Sequence, residues 1–132
     1  MRYLFNLIVL LLLSIQYSCD PLQNIQFLNE SSSLLKVEIQ SKQKNNIQTE
    51  EDLHTTNNRT LEIPSHEKRT ILFTIGTWDK EQIQSYAQSL DYIMFENKDK
   101  KIVYKSEEEI YNLLRNNHSS LFSSHTIKIK FK

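Results

Sequence analysis

Apolar and polar residues alternate along much of the chain beyond residue 23. Within Asn24-Ile25-Gln26-Phe27-Leu28, Ile25 and Phe27 share one side. Leu35, Val37 and Ile39 alternate with Lys36 and Glu38, the period of a strand with one wet face. Thr60-Leu61-Glu62-Ile63 alternates again before Pro64, and Ile71, Phe73 and Ile75 lie on one side of the run from Thr70 to Gly76. The stretches 91–96 and 101–105 read as a hairpin about a polar turn at 97–100. In the last strand Ile127, Ile129 and Phe131 alternate with Lys128, Lys130 and Lys132. Asn29 to Ser33 is turn chemistry, so the first two strands are expected to pair as a hairpin.

The period changes twice. Ile83, Tyr86, Ala87 and Leu90 fall at i, i+3, i+4 and i+7, with Asp79 placed to cap a helix and Glu81 in its first turn. Ser106 and Glu109 form a capping box ahead of an apolar stripe at Ile110, Leu113 and Leu114. Residues 41–58 carry only Ile47 and Leu53 as apolar side chains and read as a long loop. The pattern predicts a mainly β chain: an antiparallel, immunoglobulin-like β-sandwich of about seven short strands, with two short helices in the C-terminal half. No β-α-β alternation runs through the chain, which argues against a parallel, doubly wound sheet.

Residues 1–19 follow neither period. Leu4 to Ile15 is almost continuously apolar, broken by Asn6 and Ser14, and Arg2 is the only charge before Asp20. A run of that length is short for a bilayer span, which takes roughly 20 residues. It fits the apolar part of a secretory signal peptide. Cys19, the only cysteine, follows at once, behind the small residue Ser18. A lone thiol in an exported chain is otherwise an unpaired, oxidisable group. The segment resembles a bacterial lipoprotein signal, which implies cleavage before Cys19 and acylation, palmitate included, of that residue. Gln16 and Tyr17 depart from the usual Leu and small residue of that box. An ordinary signal peptide cut near Ser18 and an uncleaved membrane anchor are the alternatives.

The domain organisation that follows is a signal peptide at 1–18, a lipidated tether at 19–23 and a single sandwich domain at 24–132. Boxes ending in Ser-Cys are familiar among lipoproteins of the Bacteroidetes. The composition, with 14 Ile, 12 Lys and 11 Asn against one Gly and one Ala, is compatible with that group. The run from Asp91 to Phe95, then Ile102-Val103-Tyr104, the Ser106–Glu109 helix start and the closing strand are similar to the C-terminal half of small uncharacterised lipoproteins of that kind. Ile25, Phe27, Asn29 and Ser31 match their opening I-x-F-x-N-x-S strand. The resemblance implies location and fold and brings no activity.

Composition narrows function mainly by exclusion. The chain has 132 residues, with 16 Lys and Arg balancing 16 Asp and Glu, so there is no overall basic field for nucleic acid. One Gly excludes the glycine-rich phosphate loops, and one Cys excludes an internal disulfide framework or a Cys-rich zinc site. The four histidines, His54, His66, His118 and His125, have no i, i+4 spacing, and His66-Glu67 lacks the second His of a zinc-protease helix. The serine clusters lack the glycines of a nucleophile elbow. Three asparagine sequons begin at Asn29, Asn58 and Asn117.

The expected function is therefore a non-catalytic, lipid-anchored protein of the bacterial envelope, exported, with no cofactor and no metal. Its partners would be the membrane through Cys19 and a protein bound at its surface. The candidate binding surface is Trp78, which beside Gly76 is expected to be exposed, together with Glu50, Glu51 and Asp52 in the long loop. Lys128, Lys130 and Lys132 suit protection of a sheet edge, or else a patch for lipid headgroups. An immunity or inhibitor protein acting against a secreted toxin is the alternative reading. A small hydrolase with a distant triad is a third.

Overall fold

Seven strands and two helices build the domain, in a computed structural model that describes residues 21–42, 58–119 and 125–132. The strands are β1 (Leu22–Asn29), β2 (Leu35–Ser41), β3 (Asn58–Ile63), β4 (Lys68–Ile75), β5 (Leu90–Glu96), β6 (Lys101–Tyr104) and β7 (Thr126–Phe131). Helix α1 (Lys80–Ser89) lies between β4 and β5, and α2 (Glu107–Asn116) between β6 and β7. Cys19, the long loop with Glu50, Glu51, Asp52 and His54, and the serines from Ser120 to Ser124 lie outside the described residues.

The strands form two sheets, ordered β4-β1-β7 and β3-β2-β5-β6. All pairs are antiparallel except β1 and β7, which run parallel. The inward residues of both sheets join one core that includes Ile25, Phe27, Val37, Ile71, Phe95, Ile127 and Phe131. Phe27 and Phe95 meet across the layers at 5.9 Å between ring centroids, and Phe95 stacks on Phe131 at 6.0 Å. The architecture is the mainly β sandwich that the alternation predicts.

Its strand order is not a meander. The chain passes between the sheets four times: by the turn after β1, by the turn after β3, and by each helix. The expected β1–β2 hairpin is thus corrected. β1 pairs with β4 and β7, and β2 with β3 and β5. A short polar link between two alternating runs fits a hairpin and a sheet-to-sheet arch equally. The arch wins because Asn29, fully buried, ties the turn to the opposite layer. Its Nδ2 donates to the carbonyls of Ser33 (2.7 Å), Ile63 (2.9 Å) and Pro64 (3.2 Å), while Oδ1 accepts from Ser31 N (3.0 Å) and Ser31 Oγ (2.6 Å). One side chain holds both turns by which strands change sheet at this end.

The helices pack on each other and against β5 and β7. Both begin with capping boxes. Asp79 accepts from Gln82 N at 2.7 Å, and Ser106 Oγ from Glu109 N at 3.2 Å. These satisfy amide donors that a helix start leaves without partners. Ile83 and Ala87 of α1, with Ile110 and Leu114 of α2, add a buried stripe to the core.

Candidate functional site

The end of the sandwich where the chain enters β1 concentrates the unusual chemistry. Strand β1 starts at Leu22, two residues before its alternation becomes visible, because Gln23 and Asn24 are polar yet buried; Leu22 and Gln23, expected in the tether, thus belong to the domain. Gln23 Nε2 donates to Thr77 O at 2.6 Å and to Gln82 Oε1 at 2.8 Å, and its Oε1 accepts from Thr74 Oγ1 at 3.2 Å. Pro21 O accepts from Gly76 N at 3.0 Å, and Asn24 N donates to His125 O at 2.8 Å. The described chain is therefore bonded to its neighbours from its first residue. At Gly76 the backbone takes φ +139°, a conformation open to glycine.

Trp78 belongs to this end as well, and its expected exposure is corrected. It is 5% exposed, and its Nε1 donates to Asn24 O at 3.1 Å. Phe73 meets its ring edge-on at 5.1 Å, and Tyr86 lies at 5.9 Å. The position after a strand suggests a free ring, but the indole fills the gap between the β1 entry and α1. Burial pushes the Tyr86 hydroxyl up to about 12, against a smaller lowering by the Arg59 cation. Trp78 thus acts as a wedge in the core, and not as a contact surface.

A second correction concerns Ile75. The sequence puts it on the side of Ile71 and Phe73, yet it is 66% exposed. The β1–β4 register shifts between Leu22–Ile75 and Asn24–Leu72, leaving one extra residue on β4, and this bulge turns Ile75 outward. Leu72, on the outer side of β4, is 58% exposed and Leu22 is 44% exposed. Alternation alone gives no sign of the bulge; Gly76 is the only nearby mark of irregular backbone.

Other titratable groups act locally. On the outer side of the four-stranded sheet the Tyr92 hydroxyl donates to Glu38, which also pairs with Lys36 at 3.3 Å. The Tyr92 bond, then Lys36, hold the Glu38 carboxyl below its usual range. Glu109 is lowered because its carboxylate accepts from Ser106 N and Lys105 N, each at 3.1 Å. His118 forms a backbone bridge to Ile127 at the edge of β7. His66 takes φ 62° in the turn between β3 and β4, where Glu67 N donates to Pro64 O. Asn29 is fully buried, so its sequon is inaccessible in the folded domain.

Among the described residues no three of His, Cys, Asp and Glu gather as a metal site, and no helix is long and apolar enough to cross a membrane. A shallow, open depression on α1 is lined by Lys80, Glu81, Gln84, Ser85 and Gln88. Compared with known families, with curated proteins and with solved structures, the chain matches none.

Proposed function

We propose that the chain is the precursor of a lipid-anchored protein of the bacterial envelope. Residues 1–18 are its signal peptide, and Cys19 is the acylated first residue of the mature form. The domain then works without catalysis, as a binding or accessory module held at a membrane. The observation that carries this reading is the position of the single cysteine. It stands directly after an apolar run of signal-peptide length and two residues before Pro21, whose carbonyl accepts from Gly76 N. Two residues reach at most about 7 Å, so an acyl group on Cys19 holds the sandwich against the bilayer with almost no linker. Each buried methylene contributes about 0.8 kcal/mol, so several chains on one residue anchor firmly where one alone does not.

Mass spectrometry of the mature N-terminus from a bacterial host tests the proposal. The expected product begins at Cys19 with a diacylglyceryl thioether, and Cys19→Ser leaves the protein unprocessed and without lipid. A mature chain that begins elsewhere, or one with a bare Cys19 thiol, overturns it.

A further inference from the structure

The outward face of the three-stranded sheet is graded along β1. Its first row pairs Leu22 with Ile75, and the next sets Asn24 between Leu72 and Thr126. Then come Gln26 between Thr70 and Lys128, and Leu28 between Lys68 and Lys130. The face thus runs from apolar through uncharged polar to basic over about 20 Å of strand. None of these outward positions is acidic; Glu30, just beyond the last row, pairs with Lys130 at 3.5 Å. The outward face of the other sheet differs. It carries Glu38, Glu62 and Glu96 with Lys36 and Lys101.

Leu22, Leu72 and Ile75 are the three large exposed apolar side chains of the first sheet, and the register makes them neighbours. Single exposed apolar residues are ordinary, whereas a contiguous group marks a contact. Two observations identify the occupant. The apolar row is the part of this face nearest Cys19 along the chain, since only three residue steps separate Cys19 from Leu22, at most about 11 Å. The lysines share that face, as suits anionic headgroups. We propose that this face lies on an anionic bilayer, with Leu22, Leu72 and Ile75 dipping below the headgroups beside the anchor and Lys68, Lys128 and Lys130 resting on them. This rests on the acylation of Cys19 and adds to it a fixed orientation: the charged face of the four-stranded sheet is turned away from the membrane.

The full precursor, processed by a bacterial host, supplies the material for the test. Acylation blocks the Cys19 sulfur, so a new cysteine is the only reactive thiol. Ile75→Cys and Leu72→Cys report from the face, and Glu62→Cys reports from the opposite sheet. Each takes an environment-sensitive fluorophore, and circular dichroism confirms the fold. The proteins are placed in phosphatidylethanolamine–phosphatidylglycerol vesicles containing acyl-brominated lipid as quencher. The expected result is a blue shift and loss of most emission at 72 and 75, with label 62 left as in water. Quenching that weakens when phosphatidylglycerol is replaced by phosphatidylcholine supports the role of the lysines, and indifference to that change removes them from the proposal. Labels 72 and 75 as wet as label 62, on protein whose Cys19 mass shows acylation, overturn the docking and leave the anchor standing. A blue shift that brominated lipid does not quench and that fades on dilution assigns the face to a second copy of the chain and overturns the bilayer. A bare Cys19 overturns the anchor, and the docking with it.

Discussion

Replacing Asn29 with alanine removes one side chain and cuts two sheet-to-sheet turns loose together. In the native domain its amide donates to the carbonyls of Ser33, Ile63 and Pro64 and accepts from the backbone N–H and hydroxyl of Ser31. Two N–H groups serve three carbonyls, so the Pro64 contact at 3.2 Å is the shared, weaker one. The bond to Ile63 O is fully buried, and losing it leaves a carbonyl out of reach of water, at about 1–3 kcal/mol. The remaining bonds are partly exposed, and water replaces them at about 0.5–1 kcal/mol each. The polar pocket left behind suits a water molecule, which recovers some of the loss. The net expectation is a destabilisation of about 2–4 kcal/mol, a large share of the roughly 5–15 kcal/mol that holds a domain folded.

Urea unfolding of the domain followed by circular dichroism measures it. With an m-value of about 1–3 kcal/mol/M, the midpoint falls by about 1–2 M. A loss below about 0.5 kcal/mol, the range of an ordinary surface substitution, would refute the role of Asn29 as a buried clamp. Asn29→Asp supplies a sharper test. A carboxylate there faces three carbonyl oxygens, so its folded pKa rises above the ordinary value of about 3.9. The neutral acid is then the form that folds. Relative to the parent, this variant is least impaired at acid pH and loses stability as the pH climbs through the raised pKa. A pH profile parallel to the parent's contradicts the geometry.

Three other outcomes follow from the same structure. Gly76→Ala is expected to cost about 1–3 kcal/mol through backbone strain alone, because a Cβ there meets only Gln23 Nε2, at 3.8 Å, in a backbone at φ +139°; thermal melts that coincide with the parent's refute it. Trp78→Phe keeps the packing on Phe73 and Tyr86 but leaves Asn24 O without its donor, for about 1–3 kcal/mol in urea midpoints; native emission of this single tryptophan at the wavelength of an indole in water would disprove its burial. Glu109 has a folded pKa below its unfolded one, so its cap stabilises α2 above the ordinary carboxylate range and is lost as the pH falls through the depressed value. Glu109→Gln is then less stable than the parent at neutral pH and equal to it in acid, and a gap in melting temperature that persists in acid contradicts this.

Local rules made the elements legible. Asp79, ahead of Glu81, and Ser106, with the capping box to Glu109, were readable as caps because such contacts close within four residues, and the lysines of β7 because period two survives any strand partner. What failed was set by partners far along the chain. Trp78 looked free because Asn24, its acceptor, lies 54 residues away. Ile75 changed side because the bulge depends on how β4 meets β1. Gln23 and Asn24 hid the start of β1, since polar side chains in a strand read as loop until their buried partners are known. The I-x-F-x-N-x-S run now has a physical content. Ile25 and Phe27 fill the core, Asn29 clamps two arches, and Ser31 fills the acceptor of Asn29.

Among the described residues, the buried polar ones, Gln23, Asn24 and Asn29, all lie on β1, the middle strand of its sheet. Burying an amide is costly unless each of its groups is paired, as they are at Gln23 and Asn29 but not at Asn24, whose Oδ1 has no partner. On β1, Gln23 and Asn29 fix both ends. Gln23 locks the entry to the start of α1, and Asn29 locks the exit to the turn after β3. Between them β1 is bonded to β4 on one side and β7 on the other. A chain anchored at Cys19, as proposed, would therefore pass its constraint into the centre of a sheet, and not into a fraying edge. That matters only if direction matters. A long linker would let the domain tumble, whereas an acyl anchor on Cys19, as proposed, with Leu22 already in a stiff first strand, would turn a point of attachment into an orientation. In the proposed docking, the same rigidity would make the graded face of three apolar residues and three lysines act as one surface: its parts could not meet a bilayer independently, so each weak contact would add to the others.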